Sequence, residues 1–122
     1  SGYLFRTATV QDFSAVTGAC LLVKTSVWDE VGGLDESYAV AFNDVDFCVR
    51  VRQAGYTNVF TPFAQLYHYE SKSRGLDTTP ENAARYAREK ANFYTKYHEY
   101  IDHYDPYYNP HFNNLFENFG LK

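Results

Sequence analysis

The segment that most constrains this chain opens at Thr79-Pro80-Glu81. A threonine hydroxyl can cap a helix, proline suits the first helical position, and glutamate complements the positive end of the helix dipole. Ala84, Ala87, Ala91, Tyr94, His98 and Ile101 then recur at three- and four-residue steps. That pattern predicts one long helix with a small, semi-apolar stripe. Glu81, Arg85 and Glu89 are spaced as an i,i+4 ladder on another face. Beyond Ile101, Asp105-Pro106 and Asn109-Pro110 break regular structure.

Upstream, only shorter elements are readable. Residues 1–15 carry no strong period. Val16 to Lys24 is an apolar run of strand length, expected to be buried on both faces. Ser26-Val27-Trp28-Asp29 matches a capping box, and Gly32-Gly33 stops the short helix it would open. Asn43 is an N-cap candidate with Asp46 at the capping-box position, and that helix runs to Ala54 before Gly55. Residues 57–61 and 64–69 read as extended segments separated by Pro62, and Glu70 to Gly75 as a polar loop.

Composition decides the broad class. With 122 residues and 45% hydrophobic content, the chain suffices for one domain with a modest core. The formal charge is -4 and the cations are dispersed, so no basic stripe is present to neutralise a phosphate backbone and nucleic acid is not an expected partner. No apolar run approaches the roughly 18 residues of a membrane span, and a soluble protein is expected. Cys20 and Cys48 lie in apolar patterns outside any CxxC pair, so both are expected to be buried free thiols. Aromatic residues make up 19% and crowd the region after residue 92, which fits either a tail packed on its own domain or one covering another surface.

The chemistry-bearing candidates are few. Asp44 and Asp46 stand two residues apart on a predicted helix, so their side chains diverge by about 200° and cannot share one proton. Asp46 has local structural uses: capping its own helix and pairing with Arg50 one turn on. Asp44 lacks such a use apart from the helix dipole, and that dipole favours the ionised form a general base needs. His68 offers one metal ligand at the end of the predicted 64–69 strand. Lys72 and Arg74, in the loop closed by Gly75, could meet a diphosphate. A metal-dependent hydrolase built on Asp44, Asp46 and His68 is disfavoured by the divergence of the two aspartates.

The order of motifs adds to this. Gly18-Ala19-Cys20-Leu21-Leu22-Val23-Lys24, Val31-Gly32-Gly33-Leu34-Asp35-Glu36, Asn43 to Arg50, Ala54-Gly55-Tyr56, Tyr67 to Gly75 and Asp105 to Pro110 form one ordered series. Over roughly residues 16–112 the chain resembles the C-terminal half of a bacterial family 2 glycosyltransferase of the GT-A fold, in the group that includes rhamnosyltransferase-like enzymes. The resemblance implies an α/β fold: a partial GT-A domain in which a short mixed sheet and helices precede the long C-terminal helix and an aromatic tail. It treats residues 1–122 as one domain, the acceptor-side portion, with the nucleotide-binding half not represented.

By the same resemblance Asp44 is the catalytic base of an inverting transfer. His68 is a metal contact on the donor side, Lys72, Ser73 and Arg74 contact the donor diphosphate, and Gly18, Ala19, Cys20 and Asp35 border the acceptor. Relatives often carry glutamate where this chain has Asn43, and a second histidine where it has Tyr69. The implied partners are a nucleotide-sugar donor, a glycan acceptor and a divalent Mg or Mn ion in an intact enzyme. The implied setting is the cytoplasm, at the inner face of the membrane. Self-association of the chain is a further expectation, and alone the chain is expected to be inactive. The alternative is a non-catalytic carbohydrate-binding or assembly module derived from a transferase.

Overall fold

A computed structural model describes residues 8–69 and 79–101. Lys72, Ser73, Arg74 and the aromatic tail lie outside these residues. The described elements, in chain order, are strand β1 (Gln11–Phe13), a 3-10 turn (Gly18–Cys20), helix α1 (Thr25–Val31), helix α2 (Asn43–Gln53), strand β2 (Asn58–Phe60) and helix α3 (Pro80–Ile101). The architecture is thus mixed α/β. Its two strands pair antiparallel, with Gln11 opposite Phe60 and Phe13 opposite Asn58. Phe13 and Phe60 meet edge to face at 5.6 Å.

Helix α2 organises the core because it carries apolar side chains on two faces. On one, Phe47 and Val51 pack with Val27 of α1, flanked by Leu21, Val23 and Val31. On the other, Val49 packs with Tyr38, Phe93 and Tyr97, flanked by Phe42 and Val45. Asn58, buried at the start of β2, donates from its amide to the carbonyls of Ser14 and Cys48, 3.1 Å each. One side chain therefore ties β1, α2 and β2 together and satisfies carbonyls that burial would otherwise leave costly.

Several expectations are met. Helix α3 starts at Pro80, and the Thr79 hydroxyl accepts from the Asn82 N–H at 3.2 Å. Gly32 ends α1 in the left-handed region (φ 84°), with its N–H on the Trp28 carbonyl. Gly55 follows α2 at φ 94°. Cys48 is buried and free; its thiol lies between the N–H and carbonyl of Val16, and burial pushes its pKa up.

Others are corrected. The 16–24 run is not a strand: it forms the 3-10 turn and then irregular chain, with Cys20 exposed and Leu22 97% exposed. Apolar content alone does not distinguish a strand from a loop bordering a core; in this run Leu21 and Val23 pack against the α1–α2 cluster, and Val16 meets the Cys48 thiol. Ser26 does not cap α1, whose N-cap is Lys24. Asn43 is the first residue of α2 rather than its cap; its side chain accepts from the Asp44 N–H at 2.7 Å, and Phe42 occupies the cap position. Residues 64–69 form no strand, so His68 ends an irregular exposed segment.

The stripe predicted for α3 faces the wrong way. Ala84, Ala87, Ala91, Tyr94 and His98 are exposed, whereas Glu89, Phe93 and Tyr97 are buried. Alanines fill little of an interhelix space, and a hydropathy pattern scores Glu89 as polar. Both Glu89 oxygens nevertheless face inward, accepting from the Val40 and Ala41 N–H groups at 3.1 and 2.8 Å. Glu89 is thus a clamp on the chain leading into α2, not the end of a surface ladder. Among the described residues, no helix is long and apolar enough to cross a membrane.

Candidate functional site

The site is built at the first turn of α2, where the backbone enters through an unusual residue. Phe42 adopts φ 65°, a left-handed conformation that costs a non-glycine residue about 1–2 kcal/mol. Its ring offsets that cost by stacking on Phe93 at 5.1 Å and lying 5.6 Å from Tyr86. The reversal at Phe42 sets the direction of the next residues, Asn43 and Asp44, at the start of the helix.

Asp44 is half-buried and faces the 3-10 turn. Its Oδ2 accepts from the Gly18 N–H at 2.8 Å and its Oδ1 from the Val45 N–H at 2.9 Å. Gly18 lets the turn approach this closely: a methyl group there would sit 3.1 Å from Asp44 Cβ. The structure therefore brings together two regions assigned separately from sequence, the Gly18–Cys20 segment and the Asp44 helix start. It also supplies Asp44 with local partners that the sequence did not reveal.

Asp46 points the other way and is fully buried. Its Oδ2 accepts from Arg50 Nε at 2.9 Å, and its Oδ1 from Lys96 Nζ at 2.8 Å and the Tyr97 hydroxyl at 2.5 Å. Arg50 extends the network by donating to the Val31 and Gly33 carbonyls, 2.6 Å each, thereby covering the carbonyl end of α1. The backbone of α3 leaves helical φ/ψ at Tyr97, the residue anchored to Asp46. Pairing with Arg50 is as expected from sequence; the side-chain capping of α2 is not what this carboxylate does.

The network shapes its own titration. Burial pushes the Tyr97 hydroxyl up, and its bond to Asp46 adds to that, to about 12. Burial acts to lower the Lys96 ammonium, but the bonds to Asp46 and Tyr97 outweigh it and the net shift is upward. Asp35 joins the rim: its side chain accepts from the Ser37 N–H at 2.9 Å and lies 3.5 Å from Lys96. The Ser37 hydrogen bonds hold its carboxyl below the usual value, against a small opposing effect of burial and with help from Lys96.

His68 is exposed. Among the described residues, no three His, Cys, Asp or Glu side chains gather so as to hold a metal ion. His68 thus offers a single imidazole. The residues missed from sequence are Lys96, Tyr97, Phe42 and the Gly18 N–H. Only long-range geometry marks them, because each acts across a gap of 26 to 51 residues or through backbone conformation.

Comparison with known proteins bears on this arrangement. No family model and no solved structure matches the chain. An uncharacterised protein of Sinorhizobium fredii is 56% identical over 73% of the chain and 10% of its own length. The N-acetylglucosaminyl-diphospho-decaprenol L-rhamnosyltransferase of Mycobacterium tuberculosis is 38% identical over 58% of the chain and 23% of the enzyme. The O-antigen biosynthesis protein RfbC of Myxococcus xanthus is 35% identical over 62% of the chain and 6% of that protein. The chain therefore spans less than a quarter of each of these relatives. Over about three fifths of its length, it is a glycosyltransferase-like sequence.

Proposed function

We propose that this chain supplies the acceptor-side part of an inverting glycosyltransferase, of family 2 and the GT-A fold, acting in bacterial polysaccharide synthesis. The rhamnosyltransferase and O-antigen relatives support the reaction class. The observation that carries the reading is the division of labour in α2: Asp46 is consumed by Arg50, Lys96 and Tyr97, while Asp44 stays half-buried beside the Gly18 turn.

Each Asp44 oxygen accepts one backbone N–H and keeps a further lone-pair site. In the proposed reaction that site takes the proton of an acceptor hydroxyl. The hydroxyl oxygen forms a bond to the anomeric carbon on the face opposite the leaving group, the bond to the nucleoside diphosphate breaks, and configuration inverts. Lys72, Ser73 and Arg74 would receive the charge on the departing diphosphate. A Mg or Mn ion there would have His68 as one neighbour and take its other ligands from outside the described residues. Gly18, Ala19, Cys20 and Asp35 would border the acceptor, with Asp35 kept ionised as a hydrogen-bond acceptor. The intact protein would work in the cytoplasm at the inner membrane face.

Replacing Asp44 with Asn in the intact protein tests this. The loss of a general base should lower turnover by about 10²–10⁴-fold with the thermal transition little changed. Turnover within a few-fold of the original would remove the base assignment. A second reading, a non-catalytic carbohydrate-binding module, draws on the exposed aromatic run of Phe63, Tyr67 and Tyr69, at 84, 92 and 69% exposure. Titration with oligosaccharides, followed through Trp28 and tyrosine fluorescence, should then saturate; no response up to millimolar ligand would set that reading aside.

A further inference from the structure

A recess of about 340 Å³ lies between α3 and the chain that leads into α2, lined by Ser37, Ala39, Arg85, Arg88, Glu89 and Asn92. Its lining offers two guanidiniums, an amide and a hydroxyl as donors. The one carboxylate among the lining residues, Glu89, has both oxygens taken by the Val40 and Ala41 N–H groups. That clamp commits each of its oxygens to a backbone donor and fixes the recess wall to α3. Arg85 is braced by a bond from Nη1 to Asn82 Oδ1 at 3.0 Å, which orients its guanidinium. Arg88, one helical turn away, has no hydrogen-bond or ion-pair partner among the described residues. Asn92 and Ser37 add an amide and a hydroxyl, joined by a long 3.4 Å contact that a ligand can readily replace.

We infer that this recess is a binding site for an oxyanion, the phosphate or carboxylate group of a saccharide ligand, held by the paired guanidiniums of Arg85 and Arg88. Arginines at i and i+3 share one helix face, and their planar forks suit bidentate contact with such groups. The net charge of the chain, -4, opposes anions at long range, so selectivity rests on these local donors. The site is separate from Asp44; the anion contact stands apart from the proposed transfer, and the assignment of that anion to a saccharide rests on it.

The test uses the full 122-residue chain and follows arginine side-chain Nε–H signals by NMR at physiological salt. Pyrophosphate and glucuronate are the probes, and uncharged glucose is the control. Saturable shifts of Arg85 and Arg88 with at least one anion and none with glucose are expected; which anion acts separates a phosphate source from a carboxylate source. Arg88→Ala should weaken binding about tenfold, the range of one charge-assisted contact, and Arg88→Lys less, because charge is kept and the fork is lost. Arg88 is exposed, so both variants should keep the original melting curve. Equal affinity in Arg88→Ala, or shifts that grow linearly with every anion and spread over the surface, would overturn the inference.

Discussion

Asp44 and Asp46 share a helix and lie two residues apart, yet they belong to different parts of the molecule. Asp46 faces α3, is fully buried and receives two cations and a phenol. Asp44 faces the 3-10 turn, is half-buried and receives two backbone N–H groups. A carboxylate held by charged side chains in the interior works as a structural key, since removing it strands its partners. A carboxylate held by backbone amides at a helix start costs little to remove and keeps lone pairs for an incoming group. The same residue type thus meets two different settings, because helix pitch turns the side chains apart and tertiary packing supplies their partners.

The comparison is broken most directly by Asp46→Ala. It leaves Lys96, Arg50 and Tyr97 without their shared acceptor and should destabilise the chain by about 3–5 kcal/mol, measured by urea unfolding with Trp28 fluorescence. A loss below 1 kcal/mol would mean that the network is not a unit. Gly33→Ala should come next. Gly33 sits at φ 69°, and a methyl there would lie 2.9 Å from the Trp28 ring; backbone strain and overpacking together predict about 2–3 kcal/mol. That variant probes the α1 side, where Arg50 binds the Gly33 carbonyl.

Alkaline pH tests the Asp46 network without mutation. Lys96 and Tyr97 both have folded-state pKa values above their unfolded ones, which are near 10.4 and 10. Groups with raised values contribute stability that is fully present below about pH 10 and is lost as pH climbs through the folded values, about 12 for Tyr97. Melting temperature should therefore hold level from neutral pH to about pH 10 and then fall by an amount equivalent to roughly 2 kcal/mol, mostly from buried Tyr97, because Lys96 is over a third exposed and solvent screens its share. Asp46→Asn should shrink that decline without abolishing it, because burial also holds the Tyr97 hydroxyl up. The smallest effect is expected for Asp44→Ala, about 1 kcal/mol from two hydrogen bonds and the dipole, read from the same urea curves. A cost matching that of Asp46→Ala would erase the distinction between the two aspartates.

Much of the local structure was legible beforehand. Thr79-Pro80 announces α3 because the capping hydroxyl and the missing proline N–H act within one turn, and Gly32 and Gly55 end their helices because left-handed backbone is a property of a single residue. Strand β1 was not legible: three residues of sheet carry too little alternation to register, and their pairing partner lies some forty-seven positions away. The face of α3 was misread because periodicity ranks alanine above glutamate, whereas burial followed Glu89 and its two backbone donors. Cys20 was expected inside and lies outside because the run it belongs to turns instead of extending.

From sequence alone, the divergence of Asp44 and Asp46 and the pairing of Asp46 with Arg50 follow, since helical pitch sets both within a single turn. That Asp46 is sealed by Lys96 and Tyr97, and that Asp44 rests against the Gly18 N–H, was decided by tertiary structure. Those contacts join residues 26 to 51 positions apart, and no local rule of spacing reaches that far. They exist because α2 packs on both of its faces, which forces one aspartate into the core and leaves the other at its edge.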